Sequence, residues 1–148
     1  MSAMAFRVLR LLPAAALLLG MAAAAPAQTV RKGEVEPGPR ELSVPTGSPF
    51  AAELSQALTE YGFVVKAASG TPWPTRYAVS MVVDDNAPRE ICASTGRRIV
   101  TAKGTLVDTE TGQDVATVQA RGADGPCGGA EPVFGALAEA VGDVWMGQ

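Results

Sequence analysis

The stretch from Arg97 to Arg121 constrains the fold more than any other part of the chain. Val100, Ala102, Gly104 and Leu106 alternate with polar or β-branched residues, Ala116, Val118 and Ala120 repeat the alternation, and Glu110-Thr111-Gly112 lies between the two runs. Period-two patterns on either side of a glycine-ended turn predict a β-hairpin with a three-residue loop, Gly112 taking the left-handed position after a type I turn. Pairing Thr109 with Gln113 sets Leu106 beside Ala116, Gly104 beside Val118 and Ala102 beside Ala120. The small apolar residues then share one face. A slip of one residue would turn all of them to solvent, so the pattern itself specifies the register.

A sheet with one apolar face needs a covering layer, and two helices supply it. Ser48-Pro49 opens the first, a serine able to accept a free N–H followed by a proline whose fixed φ suits the first helical position. Phe50, Leu54, Ala57, Leu58 and Tyr61 form its apolar stripe, and Gly62 ends it as a left-handed cap. The second runs from Pro132 to Met146 with Val133, Leu137, Ala140, Val141 and Val144 on its stripe, widened by Phe134, Ala138 and Trp145. Strands are predicted at Glu41 to Val44, from Phe63 through Val65, and from Arg76 to Asp84, where Tyr77, Val79, Met81 and Val83 share one face and the other is also fairly apolar. Thr71-Pro72-Trp73-Pro74 separates the last two, and Asp84-Asp85-Asn86-Ala87-Pro88 forms a turn. These elements predict an α+β two-layer sandwich, with two helices packed on one face of a mainly antiparallel sheet of about four strands.

The amino terminus reads differently. Of the first 27 residues 21 are hydrophobic, against 40% of the remainder, so the 47% of the whole chain sums two unlike objects. Arg7 and Arg10 form a positive n-region, Leu11 to Ala25 an apolar stretch shorter than the roughly 20 residues of a bilayer span, and Ala25-Pro26-Ala27 a small-residue cleavage site. The segment 1–27 is expected to be a secretory signal peptide, 28–40 a flexible tether holding Gly33, Pro37, Gly38 and Pro39, and 41–148 a single α/β domain. No membrane span is expected after cleavage, and the predicted location is the periplasm or the medium.

Charge and residue types exclude more than they assign. Without the leader the chain has ten basic and fifteen acidic residues, a net charge of −5, and its adjacent basic pairs, Arg31-Lys32 and Arg97-Arg98, are too sparse for a phosphate-binding patch; no nucleic-acid partner is expected. There is no histidine for general base work, and no Gly-x-Ser-x-Gly or Walker-type loop. No catalytic, cofactor or metal residue is assigned, and no cofactor is expected. Asp84, Asp85 and Glu90 cluster around a turn but lack the alternating spacing of a calcium loop. Gly122-Ala123-Asp124-Gly125 and Gly128-Gly129 read as turns around Cys127.

Two features carry a structural or binding expectation. Extending the hairpin register brings Cys92 and Cys127 to within about three residues of facing one another, and in an oxidising compartment they are expected to form a disulfide. Closing that loop would stabilise the fold by roughly 3.5 to 4 kcal/mol in the chain-entropy model. Trp73, held between Pro72 and Pro74, is either a contact for a protein or glycan partner or a lid folded back over the sheet edge.

The element order, with the Leu106-Val107-Asp108-Thr109-Glu110-Thr111-Gly112 hairpin and a final amphipathic helix, resembles a group of bacterial envelope domains. It includes the amino-terminal domain of TolB, curli-secretion lipoproteins and the outer-membrane activators of penicillin-binding proteins. The resemblance implies a docking or assembly module. This chain differs by having no lipid-attachment cysteine, no propeller domain and the added Cys92 and Cys127. The expected function is that of an exported, soluble, non-enzymatic accessory or binding protein contacting an envelope protein or glycan. Two alternatives stand beside it: a secreted enzyme inhibitor using a loop near Gly125-Pro126-Cys127, and a carboxylate-based hydrolase acting on glycans through Asp84, Asp85 or Glu90.

Overall fold

The computed structural model describes residues 27–84, 90–91, 96, 98–125 and 132–147. Within them lie β1 (Gln28–Arg31), β2 (Glu41–Pro45), α1 (Ala51–Glu60), β3 (Val64–Ala68), β4 (Tyr77–Asp84), β5 (Glu90–Ile91), β6 (Arg98–Asp108), β7 (Gln113–Ala123) and α2 (Val133–Met146). The fold is α+β, with both helices over one face of a single sheet, as the patterning predicts. Six strands run in the order β1-β7-β6-β4-β2-β3, and the short β5 pairs with β6 along the side that β4 also uses.

The sheet is larger and more mixed than the expected, mainly antiparallel sheet of about four strands. β2 lies between β3 and β4 and is parallel to both. Parallel neighbours need crossovers, and α1 makes the one from β2 to β3. The connection from β3 to β4 travels back in the opposite direction, so a crossover of the same hand must pass over the other face of the sheet. Ser43 records its passage: it points away from Leu42 and Val44, on the face opposite the helices, yet is fully buried and bonded to Thr75 of that connection at 2.6 Å. Within the expected tether, Gln28–Arg31 forms β1, antiparallel to β7, and the Arg31 side chain donates to the carbonyl oxygens of Asp143 and Gly147 at 2.7 and 3.3 Å. A guanidinium on the free carbonyls of a helix C-terminus is favourable on both hydrogen-bond and dipole grounds.

The hairpin has the expected register over most of its length: Leu106 pairs with Ala116, Gly104 with Val118 and Ala102 with Ala120. It shifts near the turn, where Asp108 pairs with Gln113 and Val107 with Asp114, leaving Val115 as the extra residue of a β-bulge. The loop therefore has four residues, 109–112, and Gly112 is left-handed at φ 73°. The bulge buries Val115 beside Ala116, and the Val115 carbonyl accepts the N–H groups of both Lys32 and Gly33 at 2.8 and 3.0 Å. Gly104 gives the core close approach: a Cβ there would lie 3.1 Å from Val118 Cγ2.

α1 starts later than expected. Its N-cap is Phe50, left-handed at φ 57°, and the Ser48 hydroxyl, instead of capping, donates to the Met81 carbonyl at 3.3 Å. The left-handed step lets the Phe50 ring meet Phe134 of α2, centroids 5.4 Å apart. At the other end Gly62, φ 96°, closes the helix as expected, with Phe63 N–H on the Leu58 carbonyl and Gly62 N–H on that of Thr59, both 3.0 Å. α2 matches its stripe: Val133, Leu137, Val141 and Val144 are buried between the sheet and α1, each contributing about 1.5 to 3 kcal/mol by removal from water. Among the described residues no helix is long and apolar enough to cross a membrane.

Candidate functional site

Two regions stand out, one at the end of the sheet and one on its open face. At the sheet end, the residue entering β4 is Arg76, and the hairpin turn of β6 and β7 brings carboxylates to it. Its guanidinium bonds Asp108 from both Nη2 (3.1 Å) and Nε (3.4 Å), reaches Glu110 at 3.6 Å and forms an ion pair with Glu36. The Arg76 Cζ also stands 5.4 Å from the centroid of the Tyr77 ring. Asp108 is an Asx-turn residue, accepting the Glu110 N–H at 3.0 Å, and Thr109 fastens the turn to β4 through its N–H on the Arg76 carbonyl at 2.7 Å.

These contacts set the electrostatics. Burial pushes the Asp108 carboxyl up, but the Arg76 hydrogen bond, the N–H groups of Glu110 and Thr111 and the guanidinium charge outweigh it and hold the group below the usual carboxylate range. Glu36, then Asp108, raise the already high Arg76, so it stays charged. A cleft of about 230 Å³ opens beside the pair, lined by Glu36, Pro37, Gly38, Pro39, Glu41, Thr75, Arg76 and Tyr77. Its wall is fixed by polar bonds: Thr75 Oγ1 donates to the Tyr77 carbonyl at 2.7 Å, so the Ser43 hydroxyl must be the donor to Thr75, and the Tyr77 hydroxyl accepts the Glu36 N–H at 2.9 Å.

The open face of the sheet, away from the helices, mixes polar side chains with exposed valines. Register places Gln28, Gln119, Lys103 and Val82 in one cross-strand row and Val30, Thr117, Thr105 and Ser80 in the next. Over its other half crosses the β3–β4 connection, which buries Ser43, Ala68 and Ala78 and carries Trp73 at 37% exposure. Trp73 is thus partly exposed. The other tryptophan, Trp145, is buried edge-on against Phe63 and Tyr77 at 5.1 and 5.2 Å.

Cys92, Cys127, Asp85 and the 126–131 segment lie outside the described residues, and with them the expected disulfide and the Gly125-Pro126-Cys127 loop. Asp84 ends β4, exposed; Glu90 is described only as backbone of β5. Asp124 of the predicted turn accepts the Arg98 N–H at 3.1 Å and pairs with its side chain at 3.5 Å. The Arg76 cluster is absent from the sequence reading. Asp108 carried a signal as the first residue of a turn, but Arg76 is 32 residues from it and 40 from Glu36, and no local pattern links them.

A crossover-linked mixed sheet with two helices on one face defines a two-layer α+β domain. No family model matches the sequence, and no curated relative does. Among solved structures, a substituted form of the PelC dodecamer from Paraburkholderia phytofirmans is similar with a TM-score of 0.55 at 14% identity, over 80% of this chain and 96% of that one. The PelC dodecamer of the same organism in another crystal form gives 0.52 at 14% identity, over 81% and 96%. The likeness is one of fold. Neither structure is of the TolB type that the hairpin resembles.

Proposed function

We propose that this is an exported, non-enzymatic assembly and binding module of the cell envelope, with the leader removed and Cys92 joined to Cys127. In this reading it associates with copies of itself and holds an envelope protein or glycan against the open sheet face beside Trp73. The observation that carries it is the partly exposed, proline-flanked Trp73 on the connection that crosses the open sheet face, a position from which an aromatic side chain can reach a partner. Self-association is supported by the fold likeness to PelC, whose solved structure is a dodecamer. The non-enzymatic reading is supported by the Arg76 cluster. The Arg76 guanidinium pairs with Glu36 and Asp108 and holds the Asp108 carboxyl below the usual carboxylate range, the reverse of the raised carboxyl that proton donation needs.

The test is the secreted product itself. Mass spectrometry of the periplasmic fraction should return a chain beginning at Gln28 with no free thiol, and light scattering should give a mass several times that of one chain. A chain retained with its leader, or monomeric at all concentrations, would refute the corresponding part. Binding of an envelope component that survives Trp73→Ala unchanged would remove the assigned contact.

A further inference from the structure

We infer that copies of this chain join head to tail through the two outer edges of the sheet, β1 of one copy pairing with β3 of the next; this rests on the self-association proposed above. Within the described residues nothing pairs with the outer side of either strand. The geometry of each edge is readable. Lys32 N–H bonds the Val115 carbonyl, so alternate residues of β1 face β7 and the N–H and C=O of Thr29 and Arg31 point outward. On β3, Val64 N–H bonds the Arg40 carbonyl and the Ala68 carbonyl accepts Thr46 N–H, so Val65 and Ala67 point outward. Two residues on each edge thus offer matching donors and acceptors.

Natural proteins guard such edges with proline, bulges or outward lysine and arginine. Here neither strand holds a proline or a bulge inside its free edge. The basic residues that could serve are drawn back onto their own molecule, Arg31 to the α2 carbonyls at 2.7 Å and Lys66 to Glu41 at 3.3 Å. Each edge also carries an exposed valine on the same open face of the sheet, Val30 at 60% and Val64 at 55%. Pairing Thr29 with Ala67 and Arg31 with Val65, antiparallel, brings the two valines to one seam as diagonal neighbours on the same face. The edges are different surfaces on opposite sides of the sheet, which is what a ring of identical subunits requires, whereas a two-fold dimer would use one edge twice.

The test uses Thr29→Pro and Ala67→Pro in the leader-free chain. Each removes one outward N–H and none used inside the sheet, so circular dichroism should match the parent. Each variant alone should be monomeric by light scattering. Mixed in equal amounts they should form a discrete two-chain species, because one has an intact β3 edge and the other an intact β1 edge. A parent chain that is monomeric overturns self-association and the edge assignment together. A parent that assembles while both variants assemble equally, or an Ala67→Pro chain that dimerises alone, overturns the edge assignment only. Should a proline variant unfold, Val30→Lys and Val64→Lys, both at exposed positions, carry the same comparison.

Discussion

Gly142 of α2 lies against the ring of Tyr61 at the end of α1, so close that a Cβ there would stand 2.8 Å from Tyr61 Cδ1 and closer still to Cε1. Glycine inside a helix ordinarily costs about 0.5 to 1 kcal/mol relative to alanine. Here the missing side chain lets the two helices meet. Gly142→Ala should therefore destabilise by about 1 to 3 kcal/mol through overpacking. Gly135, in the same helix with nothing within 4 Å of its Cβ position, should respond to alanine with a gain of about 0.5 to 1 kcal/mol. Urea unfolding of both variants checks the opposite signs.

The buried hydroxyl pair under the crossover gives a second prediction. Thr75→Val leaves the Ser43 hydroxyl, fully buried, without its acceptor, and should cost about 1 to 3 kcal/mol. Adding Ser43→Ala removes the orphan, so the double variant should be less destabilised than the sum of the singles. Strict additivity in the double-mutant cycle would show that the two hydroxyls do not interact.

Asp108 should shape the acid limb of stability. Its folded value lies below the ordinary one, so its contribution is present above the unfolded carboxylate value and is lost as pH falls through the folded one. Thermal melting should weaken below about pH 4, and Asp108→Asn should lower the neutral-pH melting temperature by about 3 to 6 °C while flattening that acid dependence. An unchanged acid slope in the variant would assign the dependence to other carboxylates.

Reduction tests the proposed staple. If Cys92 and Cys127 are joined, dithiothreitol should lower stability by about 3 to 4 kcal/mol, and Cys92→Ser should be insensitive to the reductant. Equal stability with and without reductant in the parent chain would show that no bond is present.

Elements whose instructions are local were readable in advance. The hairpin register follows from period-two alternation, α2 from its broad stripe, and the left-handed Gly62 and Gly112 from the absence of a Cβ. The departures come from contacts distant in sequence. Val115 bulges where its carbonyl meets Lys32 and Gly33, and Phe50 takes a left-handed conformation where its ring meets Phe134. Ser48 looked like a cap because serine before proline usually is one, but its hydroxyl found the Met81 carbonyl instead.

The sequence by itself determined the two-layer plan, which faces are apolar and which strands of the hairpin meet, because these depend on spacing between neighbours along the chain. Only the tertiary structure decided that β2 sits between two parallel partners, that residues of the expected tether extend the sheet as its edge strand β1, and that Arg76 gathers Glu36, Asp108 and Glu110. Strand order and charge clusters are set by crossover geometry and by burial, and these act between residues whose separation along the chain carries no periodic signal.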